Sequence, residues 1–170
     1  MNEKMKEEIV ASIQEFKLPR YREIPDVGLY LEQVAIYISD SLAPLGNVAF
    51  TRSMISNYVK KGIIGSPVKK QYSREQIAYL FFVAVSKTVL SMEDIRLLFE
   101  MKETMYDSST AYDYFCEEFE NVLRYVFGIK ESLDIVGVED TEEKGRLRNT
   151  IITVAHKIYL DKCFARIKEA

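Results

Sequence analysis

Apolar residues recur at helical spacing along most of the chain, and the breaks in that spacing mark the joints. Met5, Ile9, Ile13 and Phe16 predict a first helix over 3–16, followed by "LPRYREIPD", where Pro19 and Pro25 impose an extended connector. Asp26 is placed to cap a second helix with the stripe Leu31, Val34, Ala35 and Ile38, broken by "APLGN" at 43–47. "SREQ" at 73–76 and "SMED" at 91–94 both fit the capping box, in which a serine and a residue three positions on satisfy each other's orphan amides. Two helices therefore follow in close succession, at 73–89 and 91–101. The first is apolar nearly all round, with Ile77, Leu80, Phe81, Phe82, Val83, Ala84 and Val85, so it belongs at the centre of a bundle.

Beyond it, "DSSTA" at 107–111 reads as a connection into a helix carrying Tyr112, Phe115, Phe119, Val122, Leu123 and Val126, ended by Gly128. The loop "ESLDIVGVEDTEEKG" leads to a last helix with Leu147, Ile151, Val154, Ala155, Ile158 and Lys162 in register. No strand pattern exceeds the size of a wing. The fold class expected is all-α with room for one short β wing.

Composition narrows this picture. A chain of 170 residues that is 48% hydrophobic buries a real core. The longest apolar run, Ile77 to Val85, has nine residues, far short of the roughly 18 that span a bilayer. No membrane partner is expected, and "MNEKMKEEIV" lacks the apolar stretch of a secretory signal, which makes the cytoplasm the expected compartment. Cys116 and Cys163 form neither a CxxC pair nor a zinc framework. His156 and Cys163 share a helical face but fall short of the three or four ligands zinc takes, so neither metal nor other cofactor is expected.

Charge is unevenly spread. The chain carries a net −3, yet Thr51–Leu80 holds six cations against one carboxylate, net +5, which leaves −8 for the rest. Residues 101–145 contain twelve acids and four bases. Acid pairs such as Glu117–Glu118 and Glu142–Glu143 read as solvated helix surface, and with one histidine and no Gly-rich phosphate loop the chain is not expected to be an enzyme.

The basic stretch has an internal order. With Thr51 as N-cap and about 100° per residue, Met54, Ile55, Tyr58 and Val59 fall on one half of a helix, and Arg52, Ser53, Ser56, Asn57, Lys60 and Lys61 on the other. The polar half contains no carboxylate. Duplex DNA is met by cations at phosphates and by short amide or hydroxyl groups at base edges, so this face suits a recognition helix over 51–61. Gly62 stops the helix, "IIGSP" turns the chain, and "VKKQY" offers Lys69 and Lys70 as a basic wing over 65–72.

"ISNYVKKGII" followed by "KKQYSREQIAYL" and "LSMEDIRLL" resembles the MerR-type winged helix-turn-helix. Tyr58 matches the second aromatic of that family's helix, Gly62 its terminating glycine, Lys70 its wing arginine and Tyr72 its wing tyrosine, while Ile63, Ile64, Leu90, Ser91 and Ile95 fit the scaffold. Ser56 and Asn57 depart from the usual arginine and tyrosine, and "APLGNVAF" is longer than the usual turn. The whole chain is more closely similar to a bacterial family described only as a domain of unknown function with a MerR-like motif. The resemblance implies a MerR-like winged helix-turn-helix at 26–102, preceded by an N-terminal helix and connector at 1–25, and the apolar stripes of the last two long helices, which need a partner face, make 103–170 a helical dimerisation or effector region. The expected function is a sequence-specific DNA-binding regulator that forms a homodimer, with a small-molecule or protein effector at the C-terminal helices. The expected contact residues are Thr51, Arg52, Ser53, Ser56, Asn57, Tyr58, Lys60, Lys61, Lys69, Lys70 and Tyr72. The alternative is a winged-helix adaptor that binds protein and not DNA.

Overall fold

The computed structural model describes residues 3–46, 48–103, 106–137 and 141–169. Asn47 of the predicted break and residues 138–140 of the predicted loop lie outside the described residues. Among the described residues the chain forms seven α-helices and one two-stranded sheet, so the all-α class with a short β element is what the chain adopts.

Helix α1 spans Glu3–Ala11, shorter than the 3–16 expected from the apolar spacing. Ser12 Oγ donates to the Ile9 carbonyl at 2.6 Å, and Ile13, Gln14 and Phe16 bond back three residues instead of four. These tighter turns end the helix while still delivering Ile13 and Phe16 into the core. The connector that follows is a structural part and not a spacer. Leu18 and Ile24 are buried, Tyr21–Glu23 form a single 3₁₀ turn, and Arg20, caught by Glu120, fixes the path.

Asp26 does not cap the second helix. Gly28 turns the chain at φ +76°, strand β1 (Leu29–Tyr30) intervenes, and α2 runs Leu31–Leu42. The Gln33 side chain instead accepts the Tyr30 amide at 2.9 Å, and Asp26 sits 3.7 Å from Arg74. A 3₁₀ turn at Ala43–Leu45 and Gly46 end α2, as the "APLG" residues require. Next come α3 (Arg52–Lys60), strand β2 (Gln71–Tyr72), α4 (Arg74–Ser86) and α5 (Met92–Glu103). The sheet is antiparallel, with Leu29 opposite Tyr72 and Tyr30 opposite Gln71.

The capping boxes form as read. Ser73 Oγ accepts the Gln76 amide at 3.2 Å while Gln76 accepts that of Ser73 at 2.9 Å, and Ser91 pairs with Asp94 in the same way. Helix α4 is buried from Ile77 to Ser86 apart from the partly covered Tyr79, and packs against α2 on one side and α6 and α7 on the other. A helix with no solvated stripe has to be enclosed, since each large apolar side chain covered gives about 1.5–3 kcal/mol.

Helix α6 (Ser108–Val126) starts inside the segment expected to be a connection, because Asp107 caps it by accepting the Thr110 amide at 3.0 Å. Helix α7 (Glu142–Glu169) likewise starts earlier than its apolar register indicated, with the Thr141 hydroxyl accepting the Lys144 amide at 3.3 Å. The two pack along each other.

Glu118 corrects the expectation of solvated acid pairs. It is fully buried and receives Arg148 Nε at 2.5 Å, whereas Glu117 beside it is exposed. Glu120 is also buried, in the grip of Arg20.

Candidate nucleic-acid interface

The carboxylate-free face of α3 is built by a local division of labour. Thr51 Oγ1 accepts the Met54 amide at 3.3 Å and fixes the first turn. Ile55 and Tyr58 are buried against the core, with Met54 and Val59 half-buried beside them, so four apolar side chains anchor one face. The opposite face is left in solvent: Arg52, Ser53, Ser56, Asn57 and Lys60 are all exposed. Together with Leu31 of α2 they line an open concavity of about 520 Å³.

Gly62 adopts φ +70° after the helix, and the Ile63 amide reaches back to the Tyr58 carbonyl at 2.9 Å, a glycine-based stop that turns Ile64 into the core. The Gln76 amide nitrogen then donates to the Gly65 carbonyl at 2.8 Å, fixing the approach to the next turn. Val68 and Gln71 are bridged, the Gln71 amide bonds the Val68 carbonyl at 2.9 Å, and the two residues between them are Lys69 and Lys70. Their φ angles are +49° and +65°. That is the left-handed pair of a type I′ hairpin turn, normally filled by Asn-Gly. Two lysines there are strained and stand at the exposed tip.

This hairpin is shorter than a wing over 65–72 with two regular limbs. Its second limb, β2, pairs with β1, which comes from ahead of α2. The pairing connects tip and groove, because Gln71 lies opposite Tyr30 and the next residue, Leu31, lines the α3 concavity.

Not every predicted contact residue lies on this surface. The rings of Tyr58 and Tyr72 are in the core, 6% and 4% exposed, and burial raises both phenol pKa values above the ordinary range. Tyr58 stacks on Phe50 with centroids 6.0 Å apart, so it holds α3 in place. Lys61 is exposed at the helix end, with its ammonium 3.6 Å from the Met92 sulfur. Arg74, counted in the basic stretch, turns away: it donates to the Ile24 carbonyl at 2.8 Å and lies over the Tyr21 ring.

Two neighbours were not indicated by the helical wheel. Glu32 of α2 meets Arg52 at 2.5 Å, placing a carboxylate at the edge of the cationic face. Arg96 of α5 donates to the Lys61 carbonyl at 2.6 Å, supporting the C-terminal end of α3. Its only sequence signal is a position two residues beyond Asp94 of the second capping box.

Residues 19–115 match the family described as a domain of unknown function, DUF1836. The chain belongs to the DUF1836 family. The DUF1836 match opens at Pro19 in the connector and closes at Phe115 in α6, so it takes in the connector, α2 to α5 and the start of α6, with Tyr112 and Asp113 but not Glu120. No curated protein and no solved structure matches the chain significantly. Among the described residues, no helix is long and apolar enough to cross a membrane, and no three His, Cys, Asp or Glu side chains gather as a metal site.

Proposed function

We propose that this chain is a sequence-specific DNA-binding transcriptional regulator of the cytoplasm, with α3 as recognition helix and the Lys69–Lys70 hairpin as wing of a MerR-like winged helix-turn-helix. The observation that carries the reading is the solvent face of α3, where Arg52, Ser53, Ser56, Asn57 and Lys60 line one open concavity. Arginine and lysine suit phosphate oxygens, and the amide and hydroxyls suit base edges in a major groove. The order strand, helix, helix, hairpin supports it, as does the β1–β2 pairing that joins the lysine tip to the groove rim. Leu160, Phe164 and Ile167 of α7 are exposed at spacings of four and three, which suits a second copy of the chain and hence two recognition helices about one turn of duplex apart.

A protein-binding adaptor is the competing reading. Glu32 on Arg52 and the net charge of −3 favour it, because both weaken attraction to a polyanion. Binding-site selection from a random duplex pool, followed by anisotropy titrations between about 50 and 200 mM salt, separates the two. A regulator enriches one motif and loses affinity steeply with salt. Failure to retain any duplex at the lowest salt would reject DNA binding and favour the adaptor.

A further inference from the structure

Away from α3, the helices α4, α5, α6 and the start of α7 enclose a cavity of about 250 Å³. Its apolar wall is aromatic: Phe82 lies 5.5 Å from Phe99 and 5.2 Å from Phe115 between ring centroids, and Leu147 of α7 closes the wall. Its polar groups differ in whether a partner already holds them. The carboxylates are engaged, Glu75 with the Ser108 hydroxyl and Glu143 with Arg146 at 3.7 Å.

Ser108, Thr110 and Tyr112 also spend their hydroxyls on other partners, whereas two further donors do not. Tyr106 Oη is buried with no hydrogen-bond partner. Lys144 Nζ forms no ion pair among the described residues and lies over two tyrosine rings, 5.7 Å from the centroid of Tyr106 and 5.2 Å from that of Tyr114. A phenol shut away from water without a partner and an ammonium that, among the described residues, rests on ring faces both gain from an acceptor placed between them. An oxygen anion satisfies both at once, and a ring attached to it would occupy the aromatic wall, where offset and edge-to-face contacts are favourable. Size agrees, since an apolar cavity of about 150 Å³ already holds benzene.

We propose that this cavity is a binding site for a small aromatic carboxylate, with Tyr106 Oη and Lys144 Nζ donating to the carboxylate and Phe82, Phe99 and Phe115 packing on the ring. Neither the cavity nor its ligand chemistry depends on whether α3 meets DNA.

The test is calorimetric titration of the full chain with three probes of one size: 1-naphthoate, the uncharged 1-naphthalenemethanol and the cationic 1-naphthylmethylamine. Naphthoate should bind saturably, one per chain, at least tenfold tighter than either of the others. Tyr106→Phe keeps the ring and should weaken naphthoate about tenfold, and Lys144→Met should abolish the preference for the anion. Thermal melts of both variants check that the fold is retained. Absence of saturable binding, alcohol or amine binding as tight as naphthoate, or unchanged affinity in both folded variants would overturn the assignment.

Discussion

Arg20 lays its guanidinium flat against Glu120, a hundred residues further along the chain, through two parallel bonds of 2.7 and 2.8 Å. The Leu18 amide adds a third donor to the same carboxylate at 2.9 Å. The hydrogen bond to Glu120 raises the Arg20 pKa above that of an ordinary arginine, against the opposing effect of burial. Removing one partner of such a pair strands a buried charge, so Arg20→Ala should lower unfolding stability by about 3 kcal/mol in urea titrations. Arg20→Lys, which loses the fork geometry, should fall between. A loss under about 0.5 kcal/mol, the size of an exposed pair, would mean that Glu120 finds water instead.

Lys69 and Lys70 give a prediction with two opposite signs. Replacing them with Asn and Gly relieves left-handed backbone strain and should raise stability by about 1 kcal/mol or more in thermal melts. The same change should weaken duplex binding and reduce the slope of log K against log salt by about 0.9 per lost contact. A tighter complex from the stabilised hairpin would show that the lysines face away from DNA.

Asn57 and Lys60 should differ in kind. An amide can pair with adenine through both its ends, so Asn57→Ala should cost about 1–3 kcal/mol on the selected site and little on random duplex. Lys60→Ala should weaken both alike. Parallel site selections with wild type and Asn57→Ala are the check, and identical motifs from the two would remove Asn57 from base readout.

Phe164, 55% exposed on α7, is where a second copy should be most sensitive. Phe164→Glu leaves the core untouched and should convert a dimer to a monomer in light scattering while the melting temperature at high dilution stays put. A wild-type chain that is already monomeric at working concentration would end the dimer proposal.

Burial pushes the Cys116 thiol up to about 12, outweighing the Tyr112 hydrogen bond and the Arg20 charge that act the other way. An unfolded thiol titrates near 8.5, so the unfolded chain releases its proton first as pH rises. Stability from this group is therefore fully present below about pH 8.5 and is lost as the pH climbs towards 12, at up to about 1.4 kcal/mol per unit. Cys116→Ala should flatten that slope in urea titrations at stepped pH. Part of what remains belongs to tyrosines such as Tyr58, Tyr72 and Tyr112, whose phenols are raised by burial in the same way.

What could be read in advance was local. Thr51, Ser73 and Ser91 each bond a backbone amide three residues away, so the starts of α3, α4 and α5 are written in four-residue windows. Gly62 and Gly128 mark ends for the same reason, through positive φ. Asp26 misled because a strand that pairs only with residues 71–72 stands between it and α2, and no local pattern announces a two-residue strand. Glu118 looked solvated because its partner, Arg148, is 30 residues distant, just as the partner of the buried Glu120, Arg20, is 100 residues away. On α3 the wheel placed the exposed cations and the amide, and it set Tyr58 on the apolar half where Phe50 holds its ring; counting Tyr58 among the contact residues ran against that pattern. The aromatic cavity needs four helices at once and has no signature in any one of them.

The anchoring of the connector also sets a timetable for synthesis. Pro19 accepts the Tyr112 hydroxyl and the Tyr21 amide donates to Asp113, so the long-range hydrogen bonds that pin residues 18–21 go to α6. At roughly 5–20 residues per second, a ribosome delivers those partners about 5–20 s after the connector. Through that interval the connector lacks those bonds, and α4 lacks the cover of α6 and α7. The nascent chain therefore passes through a stage with its most apolar helix half-dressed. Rapid completion of α6, or a holding chaperone, decides how many chains survive it.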